Sequence, residues 1–319
     1  MRILVVKTSS LGDLFHALPA VRLLKRGLDD ARVDWVANAE YAALAERFED
    51  VSRVLPFPRR DLRRGWGAFR AALRADAYDL VVDFQGLMKS ALIARSARRA
   101  PGARILGPSF RREGAGWLYS AVVGKKDKER HAVEENLDVP RFLGLPTSPV
   151  EFPVRFPAPE DSGLPPSYVV FSPRSRHAAK NWPPERFAEL GRNLGCPVVL
   201  TGAPSDAETC ARIAAEVPGA IDRCGKTDLV GLGSILQGAR LVVTVDSGPM
   251  HVAAACGTRC LALFGPTDPK RVGPYGPRHR VLRGATPARY DKSDMQSIRR
   301  IGVEEALAAA RELIEAEGG

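Results

Sequence analysis

One stretch near residue 246 combines anion-binding residue types with a turn that could present them. The apolar, β-branched residues Val242–Val245 predict a short buried strand, and the Ala-rich stretch after Pro249 predicts a helix. Asp246 or Ser247 can cap that helix, whose N-terminal N–H groups and dipole attract a phosphate or another anion. In the alternative interpretation these residues form only a helix cap and a partly exposed first turn. The candidate site residues of this turn are Asp246, Ser247, Gly248 and His251.

A carboxylate occupies the corresponding place at the start of the chain. Arg2–Lys7 predicts a strand, residues 8–13 a turn of small residues, and Leu14–Gly27 a helix. In α/β proteins with parallel sheets, ligands bind at the carboxyl ends of the strands. Asp13 follows the turn at the carboxyl end of the first strand, so it would lie at such a site. The alternative is that Asp13 caps the helix. The turn itself, which can bring backbone N–H groups close to a ligand, contains Ser9, Ser10 and Gly12.

Strands and helices alternate along the whole chain, which predicts an α/β protein with parallel sheets and right-handed crossovers. The 319 residues exceed the size at which one core keeps growing, so two domains are expected. The Pro-rich stretch 156–166 indicates a linker, after which the alternation restarts. We therefore predict Rossmann-like domains at 1–160 and 161–300 that face each other across a cleft, with a helix at 301–319.

Composition narrows the class of protein. Hydrophobic residues at 45% and charged residues at 26% are typical of a soluble globular protein, and the formal charge of +10 indicates an anionic partner. No apolar run reaches the length of a membrane span, and no signal peptide opens the sequence, so a cytoplasmic location is expected. The five cysteines form no C-x-x-C pair and are interpreted as reduced and structural.

Familiar nucleotide motifs are missing. Gly-x-Gly-x-x-Gly does not follow the first strand, and the run Cys224–Thr227 fails as a P-loop because Ala220 stands where the first glycine is needed. No Asp-x-Asp pair is present to hold a divalent cation against a diphosphate. If a nucleotide sugar binds, its leaving group must be neutralised by helix N-termini and by Lys or Arg.

Six sequence blocks closely resemble the lipopolysaccharide heptosyltransferases, which are family 9 glycosyltransferases with a GT-B fold. The resemblance covers nearly the whole chain in family order, and the Lys-Thr-Ser-Ser opening looks more like heptosyltransferase I than II. It implies an inverting transfer of L-glycero-D-manno-heptose from ADP-heptose to a Kdo residue of the lipopolysaccharide inner core. The blocks are Lys7–Pro19, Asp83–Ser90, His131–Glu134, Lys180–Pro183, Asp246–His251 and Phe264–Asp268.

The resemblance also implies a role for each candidate residue. Asp13 matches the catalytic base, and Lys180 matches the cation at the β-phosphate of the leaving ADP. Asp206 falls where the family grips the ribose with a glutamate, and Thr227 falls near the adenine site. The remaining donor contacts are expected from Ser175, Arg176, Asp246, Ser247, Gly248 and His251.

The acceptor side is expected in the first domain. Its turn residues Ser9, Ser10 and Gly12 would approach the acceptor, and arginines suit the carboxylates of Kdo and the phosphates of lipid A. A solvated basic loop is the alternative interpretation of that arginine cluster, which consists of Arg59, Arg60, Arg63 and Arg64.

The expected partners follow from this assignment: ADP-heptose as co-substrate, Kdo2-lipid A or a related anionic glycolipid, and the inner-membrane surface from its cytoplasmic side. No metal or other cofactor is expected. Nucleic acid fits poorly because aromatic residues make up only 7% of the chain. The GT-B resemblance places the Val303–Glu315 helix against the first domain. Three alternatives remain: a heptosyltransferase II-like acceptor, a non-catalytic nucleotide- or glycan-binding module, and a sugar-nucleotide epimerase.

Overall fold

The computed structural model describes residues 1–127, 129–159, 163–284, 294 and 296–316. The chain divides into two compact units, Met1–Arg155 and Phe156–Gly319. The division falls at the beginning of the predicted Pro-rich linker, a few residues before the predicted boundary at 160. Residues 160–162 of that linker lie outside the described residues.

The described residues of the first unit form six strands and six α-helices. Its strands are β1 (Arg2–Val6), β2 (Arg32–Asn38), β3 (Val51–Phe57), β4 (Tyr78–Asp83), β5 (Arg99–Pro108) and β6 (Ala121–Val123). Its helices are α1 (Leu11–Gly27), α2 (Ala42–Ala45), α3 (Leu62–Ala75), α4 (Met88–Ser96), α5 (Ala132–Asn136) and α6 (Asp138–Phe142), with 3-10 turns at Ala39–Tyr41 and Ala115–Leu118.

The second unit repeats this organisation. Its strands are β7 (Val169–Ser172), β8 (Val198–Leu200), β9 (Ile221–Asp222), β10 (Leu241–Val245), β11 (Cys260–Phe264) and β12 (Arg280–Arg283). Its helices are α7 (Pro184–Leu194), α8 (Ala207–Glu216), α9 (Leu229–Gln237), α10 (Gly248–Ala255), α11 (Pro269–Val272) and α12 (Val303–Glu315), with 3-10 turns at Ala178–Lys180, Pro204–Asp206 and Ser297–Arg300.

The strand orders locate the binding edge of each unit. The first sheet runs β3-β2-β1-β4-β5-β6 and the second β12-β11-β10-β7-β8-β9, and the strand pairs described in both are parallel. In each sheet the chain first forms a central strand and then adds strands out to one edge. It then returns to the centre and forms the strands of the other half. The resulting switch points lie between β1 and β4 and between β7 and β10, where α/β proteins bind ligands.

Buried apolar strands hold these edges in place. Ile3, Leu4, Val5 and Val6 of β1 are fully buried, as expected for a central parallel strand covered on both faces. In the second unit all five residues of β10 are buried as well. The prediction of two parallel α/β domains is therefore confirmed.

The last helix belongs to the second unit. It packs against α7 and against strands β10, β11 and β12, and it buries Ala306, Ala309 and Ala310 in that unit's core. Its small apolar face thus packs within its own unit, and the expectation that the helix also lies against the first domain stays a prediction. Among the described residues, no helix combines the length and apolar content needed to cross a membrane.

Candidate active site

An ion pair marks the switch point of the second sheet. Lys180 follows β7 and Asp246 follows β10, and Lys180 Nζ donates to Asp246 Oδ2 over 2.6 Å. Thr267, in the loop after β11, donates its hydroxyl to the same oxygen at 2.5 Å. Asp246 is 8% exposed and Lys180 20% exposed. The carboxylate therefore fixes the ammonium at the binding edge while leaving part of it open to a ligand.

The helix that follows Asp246 begins as its sequence suggests. Ser247 is the N-cap of α10 in extended conformation, with Gly248 and Pro249 in the first turn. The Ser247 hydroxyl lies 3.3 Å from that of Thr244. Asp246 is not the cap, because its carboxylate is taken by Lys180 and Thr267. The cap of α10 thus comes one residue after Asp246 of the ion pair. The helix N-terminus contains Ser247, Gly248 and the half-buried His251.

The loop before Lys180 is held by a side-chain amide. Asn181 accepts from the Ser175 N–H at 2.7 Å through Oδ1 and donates to the Ser175 carbonyl at 3.2 Å through Nδ2. This pairing fixes Ser175 near the carboxyl end of β7. Arg176, the next residue, is exposed. Ser175 therefore has a defined position, whereas Arg176 extends from the surface of the same loop.

The two residues assigned to the nucleoside occupy neighbouring loops. Asp206 follows β8, and its Oδ2 accepts from the Ala203 N–H at 2.9 Å, so this carboxylate closes its own turn. Thr227 follows β9 and lines a cavity of about 480 Å³ together with Arg223, Lys226 and Ile235. A cavity lined both by two cations and by apolar side chains suits a nucleotide base and its phosphate-bearing sugar.

Asp13 lies at the switch point of the first sheet. The helix α1 begins at Leu11, so Asp13 is its third residue and Ser10 its N-cap. Asp13 Oδ2 accepts from the Ser10 N–H at 3.0 Å and from the Ser10 hydroxyl at 2.7 Å, which forms a capping box. Its side chain is 44% exposed. Asp13 is therefore not the N-cap considered from the sequence: it lies in the first turn of the helix and binds the Ser10 cap with a carboxylate that is still partly exposed.

The groups around Asp13 stabilise its ionised form. Burial opposes ionisation, but the Lys7 and His16 side chains and the two Ser10 hydrogen bonds outweigh it and lower the pKa of Asp13 to about 2. Lys7 is buried, donates to the Phe84 carbonyl at 2.8 Å, and has its pKa lowered by burial against the pull of Asp13, Asp83 and Glu135. Asp13 is consequently ionised at neutral pH.

A second loop clamps the turn that carries Asp13. Gln85, after β4, accepts through Oε1 from the Thr8 and Ser9 N–H groups, each at 3.1 Å. Asp83 fixes the Gln85 loop in turn, because its Oδ1 accepts from the Gln85 and Gly86 N–H groups and its Oδ2 from Ser90 and Tyr119. The positions of Ser9, Ser10 and Gly12 thus depend on a strand that is distant in sequence but adjacent in the sheet.

The arginine cluster lies at the same edge of the first sheet. Arg59 and Arg60 follow β3, and Arg63 and Arg64 fall in the first turn of α3, whose N-cap Asp61 accepts from the Arg64 N–H at 3.4 Å. All four arginines are exposed. Arg59 Nη1 lies 4.0 Å from Glu40 Oε1, the outer limit of an ion pair. The cluster therefore presents most of its charge to solvent.

The cysteines lie in apolar surroundings and all five are free. Cys210, Asp222 and Cys224 bring their ligand atoms within 4.8 Å of one another, the one such group found among the described residues. Burial raises the pKa of both thiols, which favours the protonated form that does not bind metal.

Sequence reasoning did not assign three residues that complete these sites. Lys7, Gln85 and Thr267 all stand inside the resemblance blocks. Their roles depend on which strands are neighbours, because each reaches a partner on a different loop. A polar residue just after a predicted buried strand was the available signal for all three.

Comparisons with known proteins identify the family of this chain. The family described as glycosyltransferase family 9 (heptosyltransferase) matches residues 66–300. Lipopolysaccharide heptosyltransferase 1 of Escherichia coli K12 is 33% identical over 89% of this chain and 93% of its own length. The enzyme of that name from Pseudomonas aeruginosa is 34% identical over 86% of this chain and 82% of its own.

A solved structure extends the match to the fold. The E. coli heptosyltransferase WaaC with ADP is similar with a TM-score of 0.83 and 29% identity, covering 98% of this chain and all of that one. The two parallel α/β domains of this chain are therefore of the GT-B type, as predicted. With this family match and these relatives, the chain belongs to glycosyltransferase family 9, the heptosyltransferases.

Proposed function

We propose that this chain is a heptosyltransferase I, an inverting enzyme that moves heptose from ADP-heptose to a Kdo residue of the lipopolysaccharide inner core. The observation that carries the proposal is the Lys180 ammonium, fixed 2.6 Å from Asp246 beside the α10 N-terminus. A rigid cation next to a helix N-terminus suits the β-phosphate of a leaving ADP. The relatives named heptosyltransferase 1 support the acceptor assignment.

The proposed reaction is a single displacement. The acceptor hydroxyl oxygen attacks C1 of the heptose from the face opposite the phosphate, and the bond between C1 and the phosphate oxygen breaks with inversion. Asp13 takes the proton of the attacking hydroxyl, a role for which its ionised state and open face suit it. The electron pair of the broken bond stays on ADP, where Lys180 and the α10 N-terminus stabilise the added charge.

The donor is assigned to the second unit. Thr227 and the cavity beside it would take the adenine, and Asp206 would face the ribose. Because Asp206 already closes its turn, ribose binding would use its second oxygen or displace the Ala203 N–H. Ser175, Ser247, Gly248 and His251 would donate to the diphosphate, with Arg176 as an outer cation.

The acceptor is assigned to the first unit. The turn Ser9–Gly12 would contact the reacting sugar, and Arg59, Arg60, Arg63 and Arg64 would bind its carboxylates and phosphates. Such a glycolipid resides in a membrane, so we also propose that the enzyme acts on the cytoplasmic face of the inner membrane as a peripheral protein. No metal enters this scheme.

The decisive experiment is incubation of the purified chain with ADP-heptose and Kdo2-lipid A. The proposal expects ADP and a lipid heavier by one heptose, with inverted anomeric configuration by NMR. A parallel reaction with an acceptor that already carries one heptose separates the two transferases, because only a heptosyltransferase II-like enzyme would prefer it. A binding module would release no ADP, and an epimerase would isomerise the donor without consuming the lipid. Either result would overturn the proposal.

A further inference from the structure

Three neighbouring elements of the first unit expose large apolar side chains. Leu62 and Trp66 of α3 are 47% and 38% exposed, Leu92 of α4 is 52% exposed, and Trp117 of the 3-10 turn Ala115–Leu118 is 92% exposed. We call these four residues the apolar surface. Soluble proteins rarely leave large apolar side chains clustered in water unless the cluster binds something.

The packing of the unit brings these elements side by side. The helix α4 contacts both α3 and the 3-10 turn. Gly114 shows the second contact in detail: a Cβ at that position would lie 3.5 Å from Met88 Cε of α4 and 3.8 Å from Trp117 Cδ1. On α3, Leu62 and Trp66 are four residues apart and therefore neighbours on one helix face.

Cations border the apolar residues on each element. Arg63 and Arg70 are exposed beside Leu62 and Trp66 on α3, and Arg95 is exposed three residues after Leu92 on α4. The Arg111 side chain lies against Gly116, because a Cβ there would be 2.5 Å from Arg111 Nε. The nearby acidic residue Glu113 is engaged, since its Oε2 accepts from the Met88 N–H at 3.1 Å.

We propose that the apolar surface is a docking site for an anionic lipid bilayer. Tryptophan prefers the headgroup level of a membrane, and Leu side chains enter the acyl boundary below it. Arginines at the rim gain from the negative surface potential of anionic lipids. The inference rests on the proposed action at a membrane, but it names the residues that make the contact.

The arginines that border the apolar surface favour a lipid bilayer over a second copy of the chain as its partner. In a symmetric dimer formed through this surface, Arg63, Arg95 and Arg111 would meet their own copies, and like charges brought together in an interface cost free energy. A bilayer with anionic headgroups instead offers an opposite charge to each arginine.

Vesicles that contain no lipopolysaccharide test the inference without any heptosyl transfer. We expect the full chain to co-sediment with phosphatidylcholine vesicles containing phosphatidylglycerol and much less with pure phosphatidylcholine. Its tryptophan emission should shift to the blue on binding and be quenched by brominated phosphatidylglycerol. Trp35 and Trp182 are buried, so the change would report Trp66 and Trp117. Failure of a catalytic assay leaves this result unaffected.

Variants assign the binding to this surface. The triple replacement Trp66→Ser, Leu92→Ser and Trp117→Ser should lower vesicle affinity by about tenfold or more, because three apolar side chains leave the boundary. The matched control is Phe142→Ser, which removes another exposed apolar side chain of the same unit, 44% exposed on α6. Circular dichroism checks that the variants fold, and the brominated-lipid measurement on the unaltered chain stands without them.

Three results would overturn the proposal. The first is equal vesicle binding by the triple variant and the unaltered chain, and the second is no quenching by brominated lipid. The third is self-association of the unaltered chain in sedimentation velocity without vesicles, abolished by the triple variant, which would make the surface a dimer interface.

Discussion

Gln85 offers the sharpest test of how the turn before Asp13 is held. Replacing it by Leu removes the oxygen that accepts from the Thr8 and Ser9 N–H groups, each at 3.1 Å. Thr8 is fully buried, so at least one of these N–H groups would be left without an accessible acceptor. An unsatisfied buried N–H costs ~1–3 kcal/mol. If that cost falls on the turn conformation that presents Asp13, turnover should drop roughly 5- to 150-fold.

The conservative change Gln85→Glu separates clamping from folding. A carboxylate oxygen still accepts from both N–H groups, so the turn should keep its position and most of the turnover should return. The matched control is Gln237→Leu in the second unit, which removes a similar pair of bonds, from the Phe156 N–H at 3.0 Å and to the Phe156 carbonyl at 3.1 Å. Steady-state kinetics and thermal denaturation of all three variants provide the comparison. Full turnover in Gln85→Leu, or equal losses in Gln85→Leu and Gln237→Leu, would refute the clamp.

The remaining predictions concern charge. Replacing Asp13 by Asn, which keeps an acceptor for the Ser10 cap, should lower kcat by ~10²-fold or more with ADP affinity unchanged, and unaltered kcat would remove Asp13 from the mechanism. Because the pKa of Asp13 is lowered to about 2, its carboxylate persists as the pH falls through the ordinary 3.8, and the kcat/KM profile should show no Asp13 inflection there; an inflection at that pH that disappears in the Asn variant would contradict this. Lys180→Gln should lower kcat by ~10²–10³-fold, whereas Arg192→Gln, which removes an exposed cation of the same unit, should not; equal losses would exclude the phosphate role. Prolonged treatment with EDTA should leave turnover unchanged, and loss restored by Mg²⁺ would disprove metal independence. Joint replacement of Arg60, Arg63 and Arg64 by Gln should raise the acceptor KM while calorimetric ADP affinity stays constant, and the opposite pattern would reverse the assignment of substrates to units.

Regular elements with strong end signals were predictable from sequence. The helix Val303–Glu315 has the bounds that its pattern predicts, and the strand predicted at Val242–Val245 begins one residue earlier, at Leu241. The start of α1 was predicted three residues late, because Asp13 was considered as a cap and the box between Ser10 and Asp13 was not recognised. Hydrogen bonds between side chains and backbone at the helix start therefore decide such boundaries. This one could have been predicted by considering Ser10 and Asp13 together.

The helix α3 shows where pattern reasoning failed. Two glycines and four arginines in and before its first turns give only a weak helix signal, and no helix was predicted for this stretch. The structure instead forms a helix from Leu62 to Ala75, because Phe69 and Leu73 bury one face of it. Tertiary packing thus overrides weak local propensity at this position.

The candidate sites were likewise predictable only in part from the sequence. The edges of the sheets that carry Asp13 and Asp246 follow from the strand-then-turn pattern. The contacts that hold those residues do not, since Gln85 and Thr267 lie on loops whose neighbours are set by strand order. Sequence spacing places Lys180 and Asp246 66 residues apart, and only the β7–β10 pairing brings them within hydrogen-bond distance.

The attachment of the last helix has a consequence for the order in which the second unit is built. Trp182, two residues after Lys180, donates its indole N–H to the Ile301 carbonyl at 3.1 Å, and Gly265 lies between Ala179 and Ile298. While the chain is being synthesised, the Lys180 loop exists long before Ile301 emerges from the ribosome. Until then Trp182 has no partner at that carbonyl, and the loop lacks the support behind it. The support behind the Lys180 loop is therefore completed only after residue 301 of the second unit has been made.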